Sequence, residues 1–200
     1  MTMEDNFEAW RKTLEHYGYA IDRHEFMLME GKKLKDIAAL YKERSSAAPS
    51  ADEIVAQKDA CYLAHHSFAF YPGVESLIAR LRSQGVPLGV ATAATRPRLD
   101  ASVPKDFLAL FDVIVSAETG GRGKPHPDPY EAAARGLKLS PHECIVVENA
   151  PLGIRSAKSA GAYCVAIAST LPESDLSLAD EKTSSFEELA TIPAVISLLQ

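Results

Sequence analysis

The sequence predicts an α/β protein with a Rossmann-like parallel sheet core and a four-helix cap that precedes it. From residue 71 onward, strand-like apolar runs alternate with helical patterns, which is typical of βαβ units in a parallel sheet. The first seventy residues show helical periodicity and no strand pattern. A β-branched run, Ile145 to Val147, indicates a strand buried on both faces. These observations assign residues 1–70 to the cap and 71–200 to the sheet core.

Four helices are predicted in the cap, because apolar residues recur there at helical spacing. Gly18 ends the first helix, and Asp22 can cap the second, which stops near Gly31. The four stretches are 7–17, 22–31, 34–41 and 52–68. Residues 45–50, rich in Ser and Ala, are predicted to be a loop. Helices of this length can form a small bundle over the carboxyl edge of the sheet.

In the core, the apolar runs predict four strands, and helix signals lie between them. The strands are predicted at 86–91, 113–115, 144–147 and 163–168. Helices are predicted at 74–84, from 97 onward, at 128–136, at 151–160, and in two short pieces at 186–190 and 193–199. Pro151 suits the first position of its helix, where its missing N–H costs nothing.

Composition narrows the class of protein. The net charge of −6 argues against a nucleic-acid partner, and no apolar run of about 18 residues predicts a membrane span. The first residues are acidic and do not resemble a signal peptide. Cys61, Cys144 and Cys164 are odd in number and widely spaced, so they are predicted to be reduced. This pattern predicts a cytoplasmic protein. It does not predict the oligomeric state.

Polar residues follow three of the predicted strands at the edge where ligands bind in open α/β sheets. Glu148 and Asn149 form an oxygen pair that could hold Mg²⁺, or an acidic turn that only caps the next helix. The Thr92 hydroxyl and the backbone N–H groups after it, from Ala93 onward, can cradle a phosphate, or cap an ordinary helix. Lys124, in a Gly-rich turn before Pro125, can neutralise a phosphate, or be a solvated loop lysine.

The chain contains four distinctive motifs, which are Tyr-Pro-Gly-Val at 71–74, Val-Ala-Thr at 90–92, Gly-Lys-Pro-His-Pro-Asp-Pro-Tyr at 123–130 and Val-Glu-Asn-Ala-Pro-Leu-Gly-Ile at 147–154. Together these motifs resemble the haloacid dehalogenase superfamily. The sequence is most similar to the branch with an N-terminal helical cap, which includes β-phosphoglucomutase-like and phosphoglycolate phosphatase-like enzymes. The resemblance extends from about residue 5 to residue 168.

The resemblance implies transfer of a phosphoryl group from a small phosphorylated metabolite through an aspartyl-phosphate intermediate, with Mg²⁺ as cofactor. In this family pattern Thr92 and Lys124 are catalytic, because they contact the phosphoryl oxygens and the developing charge. Thr92, Ala93 and Lys124 match the phosphate-binding positions, and Glu148 and Asn149 match the acidic pair that fixes the metal ion. Such catalysis depends on positioning and electrostatic stabilisation.

The sequence departs from the family pattern in two places. Asn149 stands where many relatives have Asp, so metal affinity is expected to fall or to depend more on Glu148. The family's nucleophile lies on a central first strand that ends in Asp-x-Asp-Gly, and no Asp-x-Asp occurs in this sequence. Because the loss of a central strand leaves backbone groups unpaired, the chain is expected to be a shortened form of a complete enzyme. The alternative is a non-catalytic phosphate-binding or interaction protein of the same fold.

Substrate choice in this branch depends on the cap. Lys32, Lys33 and Lys35 lie where the resemblance puts the substrate-specificity loop, and they could attract a second anionic group. A solvated basic helix start is the alternative. Mutases of the branch carry a cap His for proton transfer, and Asn6 stands at that position here. Since an amide cannot shuttle protons, the sequence favours a phosphatase over a β-phosphoglucomutase-like mutase.

Overall fold

The computed structural model describes residues 2–43 and 49–199. The helices are α1 Met3–Glu15, α2 Arg23–Leu28, α3 Leu34–Lys42, α4 Ala51–His65, α5 Val74–Ser83, α6 Arg96–Ser102, α7 Lys105–Leu108, α8 Asp128–Gly136, α9 Pro151–Ala160, α10 Phe186–Leu189 and α11 Pro193–Ile196. The strands are β1 Gly89–Ala91, β2 Val113–Val115, β3 Ile145–Glu148, β4 Tyr163–Ile167 and β5 Glu181–Thr183. Most of the loop predicted at 45–50 lies outside the described residues.

Side-chain caps fix the starts of several helices. The Asp22 side chain accepts a hydrogen bond from the Glu25 backbone N–H and begins α2, as the sequence predicts. Ser50 and Glu53 form a reciprocal capping box at the start of α4. Thr95 caps α6 directly after the β1 turn. These local bonds satisfy N–H groups that a helix start leaves without partners.

All strand pairs are parallel, which confirms the predicted fold class, but the strands form two sheets. One sheet pairs β1 with β2, and in the other β4 lies between β3 and β5. Among the described residues, β1 and β3 each have a strand partner on one side only. Val147 of β3 is 42% exposed, so the prediction that residues 145–147 are buried on both faces is wrong there. The polar strand β5 carries no apolar run, and the sequence pattern does not predict it.

One apolar cluster joins the N-terminal helices to the second sheet. Trp10 and Phe26 from the helices are buried in the same cluster as Val146 of β3, Cys164 of β4 and Ile154 of α9. A second cluster covers the other face of β4 and includes Leu77, Val165, Ile167 and Leu189. The predicted boundary between cap and core near residue 70 therefore stays a prediction, since the apolar packing is continuous across it.

Two expectations from composition concern the cysteines and the membrane. Cys61, Cys144 and Cys164 are all free thiols, and Cys164 is buried in β4. Within residues 2–43 and 49–199, no helix combines the length and the apolar character needed to cross a bilayer. The cytoplasmic location stays a prediction.

A buried lysine lies where α4 meets α6. The Lys58 side chain is inaccessible to solvent, and its ammonium group lies 3.3 Å from the Asp59 carboxylate and 5.1 Å from the centre of the Tyr62 ring. Arg98 of α6 also pairs with Asp59, at 3.7 Å, and lies over the same ring. Burial first, and then the charge of Arg98, lower the pKa of Lys58 to about 7.

Lys58 is expected to make stability rise with pH. Above pH 7 the folded chain holds Lys58 neutral while the unfolded chain still protonates it, so the unfolded state binds more protons and alkaline pH favours folding. The free energy of unfolding should rise by up to about 1.4 kcal/mol per pH unit between pH 7 and 10. Thermal unfolding at several pH values should show this slope, and Lys58→Met should remove it. Lys42→Met, at an exposed lysine of α3, should keep it, and a slope that survives Lys58→Met would contradict the prediction.

Candidate active site

The turn after β1 carries the first predicted site residue. The Thr92 backbone N–H donates to the Val115 carbonyl at 2.9 Å, which continues the parallel pairing with β2 by one residue. The Thr92 hydroxyl accepts a hydrogen bond from the Ala94 N–H at 3.1 Å. This bond holds the turn in place before α6 begins, and the hydroxyl proton stays available to an incoming group.

Lys124 reaches from its Gly-rich loop to the ends of strands in both sheets. Its ammonium group donates to the Ala91 carbonyl of β1 at 3.3 Å and forms an ion pair with the Glu148 carboxylate of β3. The ammonium also lies 5.0 Å from the centre of the Tyr130 ring. With 9% of its side chain exposed, Lys124 is a fixed cation rather than the solvated loop lysine of the alternative interpretation.

The Glu148 carboxylate is buried and accepts four hydrogen bonds. The donors are the Lys124 ammonium, the Tyr130 hydroxyl, and the backbone N–H groups of Asn149 and Ala150, at 3.0 and 3.3 Å. Burial by itself would raise the pKa of Glu148, but the charge and hydrogen bond of Lys124, followed by the other donors, hold it below its usual value. Four donors fill the acceptor capacity of a carboxylate. The Glu148 carboxylate is therefore fixed in place, and it holds the Lys124 ammonium in turn.

A carboxylate from the N-terminal helical region, the part of the chain before residue 71, enters the same site. Glu30, two residues beyond the end of α2, accepts a hydrogen bond at 2.9 Å from the Asn149 side-chain Nδ2. The same Nδ2 donates to the Thr170 hydroxyl at 3.0 Å. Burial first, and then the charge of Glu148, raise the pKa of Glu30 to about 7. The helical region and the core are therefore joined by a hydrogen bond at the site itself.

A small cavity opens between the helical region and the ends of β1 and β2. Thr92, Ala93 and Lys124 line it from the core, and Gly31 and Lys33 line it from the turn before α3. The remaining lining residues are Ser116, Ala117, Gly120, Arg122, Gly123 and Pro129. Three of the lining side chains are cationic and none is acidic, so the cavity wall itself carries positive charge.

A sequence profile of the haloacid dehalogenase-like hydrolases matches residues 2–167. The chain belongs to this family. Haloacid dehalogenase-like relatives include the validoxylamine A 7′-phosphate phosphatase of Streptomyces hygroscopicus subsp. limoneus, which is 33% identical over 184 residues, 88% of this chain and 85% of that protein. The β-phosphoglucomutase of Bacillus subtilis is 31% identical over 118 residues, which are 56% of this chain and 50% of that enzyme.

A solved structure supports the same family. CbbY from Rhodobacter sphaeroides in complex with phosphate superposes on this haloacid dehalogenase-like hydrolase with a TM-score of 0.80. The superposition covers 94% of this chain and 90% of that one, at 27% sequence identity. The helical region and both sheets are thus parts of one known architecture.

The structure brings together most of the site residues that the sequence of this hydrolase predicts. Thr92, Ala93 and Lys124 share one cavity, and Lys124 is joined to Glu148, with Asn149 next in the chain. Their roles stay predictions.

Among the predicted cap residues, Lys33 lines the cavity but Lys35 does not. Lys35 pairs with Asp52 at 2.6 Å, and both side chains are 71% exposed. Lys32 and Asn6 are likewise absent from the lining. Lys35 faces Asp52 of α4 instead of the core, and Asn6 lies on α1.

Two residues that contact the site are not among the predicted site residues, although Tyr130 ends the motif at 123–130. Tyr130 lies on α8 and donates to Glu148, and Glu30 follows α2 and accepts from Asn149. A signal for Glu30 exists, since it is the one acid between the apolar run at 26–29 and Gly31. Without the fold, that acid also fits an ordinary solvent-exposed helix end.

The side chains near Asn149 offer oxygen atoms, which are the ligands that a hard cation such as Mg²⁺ prefers. Asn149 supplies an amide oxygen, and the carboxylates of Glu148 and Glu30 flank it. In the part of the chain that the structure describes, no cluster of three or more His, Cys, Asp and Glu residues is arranged to hold a metal ion. Because Glu148 already accepts four donors, Asn149 is the member of the predicted pair with an oxygen to offer.

Proposed function

We propose that this hydrolase is a Mg²⁺-dependent phosphatase acting on a small phosphate ester of the sugar-phosphate type. The observation that carries the proposal is the cavity where the Thr92 hydroxyl, the Ala93 backbone and Lys124 come together, with Lys33 on its helical side. A hydroxyl donor and cations match the oxygens and the charge of a phosphoryl group. The similarity to a phosphatase of a 7′-phosphate supports the same class of substrate.

Lys124 supplies preorganised charge in this proposal. Its ammonium group is held by Glu148 and by the Ala91 carbonyl before any substrate binds. A cation fixed in advance stabilises negative charge that develops on the phosphoryl oxygens without reorganising during the reaction. Thr92 donates its hydroxyl hydrogen to one of these oxygens, and the N–H groups of the following turn add weaker donors.

The nucleophile is proposed to be an Asp carboxylate on a further strand that lies between β1 and β3. β1 is parallel to β2 and β3 is parallel to β4, and both β1 and β3 have an unpaired edge among the described residues. Lys124 contacts the carboxyl end of β1 through Ala91 and the carboxyl end of β3 through Glu148. A carboxylate at the end of an inserted strand would therefore meet the Lys124 ammonium.

Magnesium is proposed to bind at Asn149, with Glu148 and Glu30 adjacent to it. When bound, the ion would neutralise phosphoryl oxygens as a Lewis acid. The residues of the chain itself would hold the phosphoryl group through Thr92 and Lys124, and Gly31 lines the cavity from the helical region. A carboxylate with its four acceptor positions filled, such as Glu148, contributes by positioning Lys124.

Lys33 is expected to contribute to binding of the leaving group. It lines the cavity from the helical region, and its side chain lies against Gly123. Lys33→Ala should raise KM about fivefold for a sugar phosphate that carries a second anionic group, since loss of a partly exposed ion pair costs about 1 kcal/mol. Steady-state kinetics on mono- and bisphosphates measure this, and Lys42→Ala, at an exposed lysine of α3, should change nothing. An equal rise in KM for both substrates would argue against a second anion site.

Phosphate release tests the proposed function directly. Hexose and pentose phosphates are assayed with Mg²⁺ and with EDTA, using the 200-residue chain and the same chain preceded by an apolar strand ending in Asp-x-Asp-Gly. Mg²⁺-dependent release by the extended chain alone is the expected result. Release by neither chain would favour the phosphate-binding alternative, release by the shorter chain would contradict the proposed strand, and isomerisation without release would indicate a mutase.

A further inference from the structure

The amide of Asn149 has two possible orientations, and its surroundings select one. Nδ2 donates to Glu30 at 2.9 Å and to the Thr170 hydroxyl at 3.0 Å. A hydroxyl can donate or accept, so Thr170 fits either orientation of the amide. An ionised carboxylate can only accept. Glu30 is therefore the neighbour that keeps Nδ2 on its own side and directs Oδ1 to the opposite side.

The charges at positions 30 and 149 complement each other, because a carboxylate at one faces a neutral amide at the other. With Asp in place of Asn149, a carboxylate oxygen would replace Nδ2 beside the Glu30 carboxylate, inside a partly buried site that already contains Glu148. Like charges at hydrogen-bond distance in such a site repel strongly. The amide at 149 and the carboxylate at 30 thus form a pair in which the negative charge sits on the helical region and the donor on the core.

We propose that Glu30 is the positioning residue of the metal site: its carboxylate, brought to the core by the helical region, orients the Asn149 amide so that Oδ1 is presented to a divalent cation. Glu30 also places a negative charge beside the Asn149 amide, which is itself neutral. The hydrogen bond crosses from the helical region to the core, so the site is complete only when the two are closed together. The part of this inference that concerns the cation rests on the proposed function, whereas the matched pair does not.

The test uses the 200-residue chain at pH 8 with Glu30→Gln, Asn149→Asp and both together. Mg²⁺ alone is titrated by calorimetry, and thermal unfolding is measured without metal. A glutamine at position 30 can donate as well as accept, so the Asn149 amide is free to turn, and Mg²⁺ affinity should fall about tenfold or more, as for other residues that orient a ligand. Glu25→Gln, at an exposed carboxylate of α2, is the matched control and should bind Mg²⁺ as the parent chain does.

The double variant provides the decisive comparison. Asn149→Asp should lower Tm by about 2–4 °C more in the parent chain than in the Glu30→Gln background, which is the expected size of one pairwise coupling in a chain of this length. The double variant, with the charge returned to the core, should recover the Mg²⁺ affinity that Glu30→Gln loses. A structural role alone would not produce this recovery.

Three results would overturn the inference. Mg²⁺ binding that is unchanged by Glu30→Gln would show that Glu30 does not orient the ligand, while the proposed function stands. Equal Tm shifts for Asn149→Asp in both backgrounds would show that the two residues are not a matched pair. If the parent chain does not bind Mg²⁺, the proposed metal site is wrong. Phosphate release by the extended chain in EDTA would show independently that the reaction does not need the metal ion.

Discussion

Lys124→Met is expected to lower the free energy of unfolding by about 3–5 kcal/mol and to abolish phosphate release by the active form of the hydrolase. The substitution leaves the Glu148 carboxylate, 8% exposed, without its cation in the interior. Removal of one partner of a buried ion pair strands the other charge, and this is the source of the large cost. Denaturant unfolding measures the loss, and release of phosphate from the substrates above measures the activity.

The companion variants separate the stranded charge from the loss of packing. Lys124→Met combined with Glu148→Gln removes both charges and should recover much of the stability but none of the activity, because the fixed cation is still missing. Lys182→Met, at an exposed lysine of β5, should leave both properties unchanged. If the single and double variants were equally unstable, the ion pair would not be the reason for the loss.

The order of the strands and the residues at their ends could be predicted because these signals are local. An apolar run such as residues 113–115 and the helix start at Pro151 depend on a few neighbouring residues, and the structure has both elements where the sequence predicts them. Parallel strands then bring Thr92, Lys124 and Glu148 to one edge as a consequence of topology. Three residues distant in the chain could therefore be assigned to one site before their contacts were known.

The contacts that cross from one part of the chain to another could not be predicted. Glu30 meets Asn149 across 119 positions of sequence, and Tyr130 meets Glu148 across 18. Such partners depend on how separate elements pack against one another, which hydrophobic periodicity does not encode. The separation of the strands into two sheets is equally a matter of pairing, since each strand pattern reports its own burial and not its neighbour.

Gly153→Ala is the second substitution with a large expected effect, and its sign is diagnostic. Gly153 lies in the first turn of α9, where Ala in place of Gly ordinarily stabilises a helix by about 0.5–1 kcal/mol. Here a Cβ would lie 2.1 Å from the Cδ and Oε1 atoms of Glu148, far inside contact distance. The methyl group must therefore displace the carboxylate from Lys124 and Tyr130, and we expect a loss of about 2–3 kcal/mol or more.

The background of Glu148→Ala shows whether this clash is the cause. That truncation removes the atoms that the new methyl group would meet, so Gly153→Ala added to it should be neutral or slightly stabilising, in line with helix propensity. In the parent chain the same change should lower Tm by about 4–8 °C. A similar loss in both backgrounds would mean that α9 needs glycine for its own backbone. A loss that vanishes with Glu148 would mean that glycine is required there because the side chain that holds Lys124 passes directly over the helix.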